Sequence, residues 1–128
     1  MRDGATGLAH GACEAIVKVS LGARSYPIAL GDRLIAHAGE WIGASLPGAR
    51  CAVVTDQNVA ALHLAPLKAS LDEKGLFLGD AVVAAGESSK SFTVLSRLCE
   101  TLLQLGVERG DCVVALGGGV VGDLAGFA

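Results

Sequence analysis

The sequence lacks an excess of positive charge and lacks long apolar runs, and both absences narrow its possible functions. Ten Lys and Arg residues stand against 13 Asp and Glu residues, which gives a net charge of -3. No basic surface is therefore expected to hold a polyphosphate backbone. The longest apolar runs fall well short of the roughly 18 residues that a membrane span needs. We expect neither nucleic acid nor a membrane as a partner.

Targeting and metal-binding patterns are also missing. The first seven residues are mostly small or polar, without the basic start and apolar stretch of a signal peptide, which predicts a cytoplasmic protein. The cysteines form no C-x-x-C pair, and the three histidines lack ligand spacing. The sequence thus predicts no metal site in this chain and reduced core thiols at Cys13, Cys51, Cys99 and Cys112.

What the sequence does contain is typical of one globular domain. Its 128 residues are 52% apolar and 18% charged, which excludes a disordered chain and allows one sizeable core. We expect residues 1–15 to be a flexible N-terminal segment and residues 16–128 to form a single α/β domain. The chain ends shortly after an apparent helix start, so we also expect it to be part of a longer protein.

Secondary-structure signals predict a hairpin followed by alternating strands and helices. Segments 16–21 and 26–30 flank a short turn and predict two antiparallel strands. Asp32 is placed to cap a helix that ends before Pro47. Further along, a second helix is expected to be interrupted near Pro66, with Gly75 as its stop.

Three short apolar runs predict the strands of a parallel sheet. They are residues 51–54, 81–84 and 112–116, separated by helical patterns, the last of which is closed by Gly106. Such alternation predicts a doubly wound, mainly parallel, Rossmann-like sheet preceded by the hairpin. Ligands of these sheets bind beyond the carboxyl ends of the strands, where three polar loops follow.

The third loop carries a glycine pattern that is typical of dinucleotide sites. Gly117, Gly119 and Gly122 fit G-x-G-x-x-G between the last strand and a helix expected to begin at Val120 or Val121. Glycine lets the backbone approach a pyrophosphate, and a helix N-terminus presents free N–H groups to it. A tight strand-to-helix turn without a ligand is the alternative.

At this point the sequence resembles a known family. The segment Gly117–Ala128 is similar to the signature of 3-dehydroquinate synthases, Thr55–Val59 resembles their first nucleotide-contacting loop, and Gly86–Lys90 resembles their G-E-x-x-K loop. The similarity extends from about Val17 to Ala128. The resemblance implies an NAD-binding portion without the all-helical C-terminal domain of the family.

The resemblance also implies which residues contact NAD. They lie on the three loops and are Asp56, Asn58, Gly86, Glu87, Lys90, Gly118, Gly119, Val120, Val121, Gly122 and Asp123. Asp56 and Asn58 would meet the adenosine half, Glu87 and Asp123 ribose hydroxyls, and Lys90 a charged or polar edge of the cofactor. The glycine segment would hold the pyrophosphate.

Structural interpretations of the same side chains stay open. Asp56 or Thr55 is also suited to cap a helix, and Asp123 to favour the dipole of a helix's first turn. Glu87 and Lys90 could equally form a solvated loop pair.

The implied activity is the conversion of 3-deoxy-arabino-heptulosonate 7-phosphate to 3-dehydroquinate and phosphate in the shikimate pathway. The family uses NAD and a divalent metal, zinc or cobalt, whose ligands fall beyond Ala128, so we expect the isolated chain to be inactive. A homodimer is implied for the full-length protein. Alternatives are another sugar-phosphate cyclase, a glycerol-dehydrogenase-like metal alcohol dehydrogenase, or a non-catalytic nucleotide-binding module.

Overall fold

The chain begins with a two-stranded antiparallel hairpin. The computed structural model describes residues 13–86 and 91–127. Strands β1 (Cys13–Val19) and β2 (Tyr26–Gly31) pair with each other and are joined by a single 3-10 turn. The predicted hairpin is therefore confirmed. Most of the N-terminal segment that we expect to be flexible lies outside the described residues.

A parallel three-stranded sheet forms the centre of the molecule. Its strands are β3 (Cys51–Asp56), β4 (Phe77–Val83) and β5 (Cys112–Leu116), in the order β4–β3–β5. The central strand β3 is covered on both faces, and its first five residues are fully buried. This explains why the run is continuously apolar until Thr55, and it confirms the predicted parallel sheet.

Helices cover both faces of this sheet. They are α1 (Ala38–Ser45), α2 (Gln57–Val59), α3 (Ala65–Glu73), α4 (Phe92–Leu105) and α5 (Gly119–Phe127). Successive residues of a strand point to opposite faces, so Cys51 and Val53 pack with α3 while Ala52 and Val54 pack with α4 and α5. The doubly wound prediction is confirmed. Within residues 13–86 and 91–127, no helix is long and apolar enough to cross a membrane.

The longest helix, α4, has a defined start and stop. The Ser91 hydroxyl accepts a hydrogen bond from the N–H of Val94 at 3.2 Å, which caps the first turn. Gly106 ends the helix with φ 81°, as the sequence predicts. Leu98 and Leu102, one turn apart, bury the apolar stripe against the sheet.

The prediction that Asp32 caps a helix is wrong. Asp32 lies in a bend, the next residue Arg33 has φ 56°, and α1 begins only at Ala38 after a 3-10 turn. A left-handed residue at that point cannot continue into a helix. The start of α1 is instead tied by tertiary structure, because the Gly39 N–H donates to the buried Ser70 hydroxyl of α3 at 2.8 Å.

The helical interruption expected near Pro66 is confirmed as a π-helical segment, Ala60–Leu64, between α2 and α3. Proline has no N–H for the carbonyl four residues earlier, and the turn before it widens. Two element boundaries differ from the prediction: strand β4 starts four residues before Ala81, and α5 starts one residue before Val120.

Candidate functional site

The carboxyl ends of the three parallel strands lie at one edge of the sheet. Asp56 pairs in register with Val83 of β4, and Thr55 pairs with Leu116 of β5. The segments that follow these strands are the three loops on which the sequence places the NAD contacts. Gly86 is exposed with φ 98°. Residues 87–90, and with them the predicted contacts Glu87 and Lys90, lie outside the described residues.

The turn from β5 into α5 requires glycine at its first position. Gly117 has φ 154°, and a Cβ atom built there would lie 2.9 Å from Cγ2 of Val121. Val121 is 1% exposed and cannot move aside without disturbing the core. Gly117 is thus explained by the fold itself.

The next three glycines are different. Gly118, Gly119 and Gly122 are exposed, none has a positive φ, and a Cβ atom at any of them would meet nothing within 4 Å. Neither backbone strain nor packing in the described structure requires glycine at these positions. Glycine inside a helix is about 1 kcal/mol less favourable than alanine. Among the described residues, the space within 4 Å of these Cβ positions is open, and the described fold gives no reason of its own for the missing side chains.

Free backbone N–H groups face this space. The hydrogen bond that opens α5 runs from the Gly122 N–H to the carbonyl of Gly118, the residue before the helix, at 3.0 Å. The N–H groups of Gly119, Val120 and Val121 precede that bond and have no acceptor within the helix. Such an array, at the positive end of a nine-residue helix, is suited to an anion. The valine side chains point the other way and help to pack α5 against the sheet.

Asp56 has a structural role in addition to any ligand role. Its Oδ1 accepts a hydrogen bond from the Val59 N–H at 2.8 Å and so caps α2. The carboxylate is partly exposed at the edge of the sheet, and Asn58 is exposed on the short helix that it caps. The capping interpretation of Asp56 is therefore confirmed, and the cap fixes the direction in which the loop leaves β3.

The dipole interpretation of Asp123 is wrong. Asp123 is the fifth residue of α5, beyond the first turn, where the effect of a helix dipole has largely faded. It is exposed and lies four residues after Gly119, on the same face of the helix. The backbone position of Asp123 is therefore one helical turn along from Gly119.

Thr55, the other candidate cap in the sequence, does not cap a helix, because Asp56 makes that hydrogen bond. It is fully buried, and its Oγ1 has no hydrogen-bond partner among residues 13–86 and 91–127. Its position at the end of the apolar run of β3, directly before the capping Asp56, was the available signal for this burial. A buried hydroxyl without a partner is unfavourable for stability.

An ion pair between Arg50 and Asp111 lies at the opposite edge of the sheet, and the sequence did not predict it. Arg50 Nη2 lies 3.0 Å from Asp111 Oδ2 and donates to the Gly106 carbonyl at 3.3 Å, while the Arg50 N–H donates to Asp111 Oδ1 at 3.1 Å. Hydrogen bonding from the Glu108 N–H, and then from Arg50, holds the pKa of Asp111 below its ordinary value. The pair joins the starts of β3 and β5.

Metal-ligating side chains do not cluster in the described part of the chain. No group of three or more His, Cys, Asp or Glu residues there could hold a metal ion. The cysteines at 51, 99 and 112 are free thiols, as predicted, although only Cys51 is buried and the other two are partly exposed. The side chain of Cys13 lies outside the described residues.

Comparison with known proteins points to one family. The family model described as 3-dehydroquinate synthase N-terminal matches residues 80–128. The chain is 54% identical over 112 residues to a 3-dehydroquinate synthase of Rhizobium leguminosarum bv. trifolii, covering 88% of this chain and 30% of that protein. It is 53% identical over 111 residues to the 3-dehydroquinate synthase of Brucella ovis, covering 87% of this chain and 29% of that protein. The chain thus spans about 30% of the length of these curated relatives.

Solved structures agree on the fold. A crystal structure of 2-deoxy-scyllo-inosose synthase matches with a TM-score of 0.75 at 20% identity, covering 88% of this chain and 31% of that one. A second structure of such an enzyme, complexed with carbaglucose-6-phosphate, NAD+ and Co2+, matches with a TM-score of 0.72 at 20% identity, covering 88% of this chain and 30% of that one. The resemblance that begins with the glycine segment and the two upstream loops is confirmed: the chain is similar to curated 3-dehydroquinate synthases over 88% of its length, and residues 80–128 match the model of the N-terminal part of that family.

Proposed function

We propose that this chain is the NAD-binding portion of a 3-dehydroquinate synthase, which converts 3-deoxy-arabino-heptulosonate 7-phosphate to 3-dehydroquinate and phosphate. The observation that carries the proposal is the set of exposed glycines at the start of α5 that the fold does not require. The identity of 54% to a curated synthase favours this activity over that of other sugar-phosphate cyclases or metal alcohol dehydrogenases.

In this proposal the pyrophosphate of NAD lies over the glycine segment. Gly118, Gly119 and Gly122 let the backbone come close, and the free N–H groups of the first turn, including those of Val120 and Val121, donate to phosphate oxygens. Asp123, one turn along the same face, accepts from the nicotinamide ribose.

The other two loops hold the adenosine half. Asp56 keeps its cap on α2 with one oxygen and offers the rest of its carboxylate to the cofactor, with Asn58 beside it. By the resemblance, Gly86 shapes the second loop, Glu87 accepts from a ribose hydroxyl, and Lys90 donates a charge-assisted hydrogen bond.

Bound NAD supplies a hydride acceptor for the transient oxidation of a ring alcohol, which acidifies the neighbouring C–H before phosphate is eliminated. The residues described here bind and orient that cofactor. They do not supply a set of ligands for the zinc or cobalt ion. We therefore propose that these 128 residues alone show no turnover, and that the complete protein is a cytoplasmic homodimer whose NAD-binding domain starts near residue 16.

Lys90→Ala tests the proposed cofactor site in the protein as its gene encodes it. Loss of one charged hydrogen bond is expected to weaken NAD binding by roughly 1.5 to 3 kcal/mol, or about tenfold to a hundredfold in affinity, measured by titration calorimetry. Lys74→Ala is the matched control, because Lys74 is exposed after α3 at the opposite edge of the sheet. It should leave NAD affinity unchanged.

Phosphate release from the heptulosonate phosphate, with NAD and zinc or cobalt present, tests the activity separately. Turnover by the encoded protein supports the synthase. Tight NAD binding without turnover on this substrate would support the cofactor site and refute the proposed reaction. An unchanged NAD affinity in Lys90→Ala would instead favour the interpretation that Lys90 forms a solvated loop pair with Glu87.

A further inference from the structure

Two cysteines lie side by side at the amino-terminal edge of the sheet, away from the proposed cofactor site. Cys51 is the first residue of β3 and Cys112 is the first residue of β5, and they are direct partners in the parallel register. Their sequence positions are far apart, so only the sheet brings them together. Paired residues of neighbouring strands share a face, and both cysteines pack in the cluster that contains Leu67 and Leu71.

The backbone spacing at this pair suits a disulfide. Neighbouring strands of a sheet lie about 4.7 to 4.9 Å apart. Disulfides join Cα atoms that are usually about 4.4 to 6.8 Å apart and Cβ atoms about 3.5 to 4.5 Å apart, so the strand spacing meets the Cα condition and closure requires the two side chains to turn toward each other. Both thiols are free in this structure.

The two thiols differ in access to solvent. Cys51 is fully buried, whereas Cys112 is partly exposed. Burial, followed by the neighbouring sulfur of Cys112 and the charge of Asp111, raises the pKa of Cys51 to about 11. Cys51 is therefore protonated and shielded at neutral pH, and a small oxidant reaches Cys112 first.

We propose that Cys51 and Cys112 are a modification site, an oxidisable dithiol that closes to an intrachain disulfide when the protein meets hydrogen peroxide. The Cys112 sulfur attacks the O–O bond to give a sulfenic acid, and the displaced hydroxide leaves as water with the thiol proton. The Cys51 sulfur then attacks the Cys112 sulfur, the S–O bond breaks, and a second water leaves with the Cys51 proton. The two thiols lose two electrons and the peroxide gains them.

The experiment oxidises the protein, as its gene encodes it, with hydrogen peroxide, alkylates the remaining thiols and maps disulfide-linked peptides by mass spectrometry. We expect a dithiothreitol-sensitive link between the peptides that contain Cys51 and Cys112. Cys99→Ser is the matched control, because Cys99 is a partly exposed thiol on α4. It should keep the link, and Cys112→Ser should lose it.

A trapping reagent makes the order of events visible. In Cys51→Ser the attacking sulfur is gone, so dimedone should capture a sulfenic acid on Cys112 that the wild type does not accumulate. The wild-type peptide map decides the proposal even if a variant fails to fold. A wild type that accumulates sulfenic acid on Cys112 without the link, or that links Cys99 instead, would overturn it.

Discussion

Gly122→Ala separates a structural from a cofactor explanation of the glycine segment, because the two predict opposite changes. Gly122 is exposed inside α5, its φ is not positive, and a Cβ atom there would meet nothing within 4 Å. Alanine should therefore stabilise the helix by about 1 kcal/mol. In a domain of this size that corresponds to an increase of a few degrees in the melting temperature without NAD.

The same methyl group should weaken cofactor binding. If the pyrophosphate lies against the first turn of α5, the added Cβ occupies the space through which the backbone approaches it. Forcing an extra methyl into a close contact costs about 1 to 3 kcal/mol, which is roughly a fivefold to hundredfold loss of NAD affinity. The expected variant is thus more stable and binds NAD less well.

Thermal unfolding without NAD and titration calorimetry with NAD measure the two effects separately. Gly126→Ala is the matched control, because Gly126 is also exposed on α5 with open space around its Cβ position but lies near the other end of the helix. It should not weaken NAD binding. A less stable Gly122→Ala would refute the open-space argument, and an unchanged NAD affinity would refute the role of Gly122 in binding the cofactor.

Three further predictions concern stability. Thr55→Val removes a buried hydroxyl without a partner among the described residues and should raise the free energy of unfolding, measured in urea, by about 1 kcal/mol. Val53→Thr, on the same face of β3, should lower it by about 1 to 3 kcal/mol. A lower free energy of unfolding in Thr55→Val would mean that the hydroxyl has a partner. Because the pKa of Asp111 is lowered in the folded state, the unfolded state takes up a proton at this carboxylate first as the pH falls. The stability that Asp111 contributes is therefore complete above its ordinary pKa of 3.8 and is lost as the pH falls through the lower pKa of the folded state. Asp111→Asn should flatten that part of the stability–pH curve, and identical curves for the variant and the wild type would contradict the prediction. Gly39→Ala places a methyl group against the facing backbone of α3, so it should lower the free energy of unfolding by about 2 kcal/mol, measured as a lower melting temperature. Gly43→Ala in the same helix should leave both unchanged.

The sequence predicted elements whose causes are local. The continuous apolar run that begins at Cys51 predicts a strand buried on both faces, and β3 is one. Gly106 predicts a helix stop because few other residues adopt its left-handed conformation. Asp56 directly before a helix predicts a cap, and its carboxylate makes that hydrogen bond.

The sequence could not predict features that depend on distant partners. The start of α1 is set by a hydrogen bond between Gly39 and Ser70, which are 31 residues apart, and Asp32 therefore looked like a better cap than it is. The Arg50 and Asp111 pair spans 61 residues. Neither separation has a periodic signature along the chain.

The candidate site also has a part that the sequence predicts and a part that depends on the tertiary structure. The glycine pattern and the three loops could be found in the sequence, and so could their shared edge once the strands were taken as parallel. Whether a side chain at Gly118 or Gly122 would have room depends on the tertiary structure, and so does the distinction between these two residues and Gly117. The sequence pattern places the start of α5 one or two residues too late, and for that reason it places Asp123 in the first turn instead of beyond it.

Helix α5 shows how the fold tolerates glycines that its own packing does not require. Gly122 and Gly126 together disfavour the helix by about 2 kcal/mol, and a helix of nine residues is too short to be stable alone. Val121 and Leu124 are 1% and 5% exposed, and burying two such side chains contributes roughly 3 to 6 kcal/mol. The helix therefore forms only when docked on the sheet. Because its free N–H groups exist only in that docked helix, the proposed pyrophosphate site is assembled together with the sheet core and is lost with it.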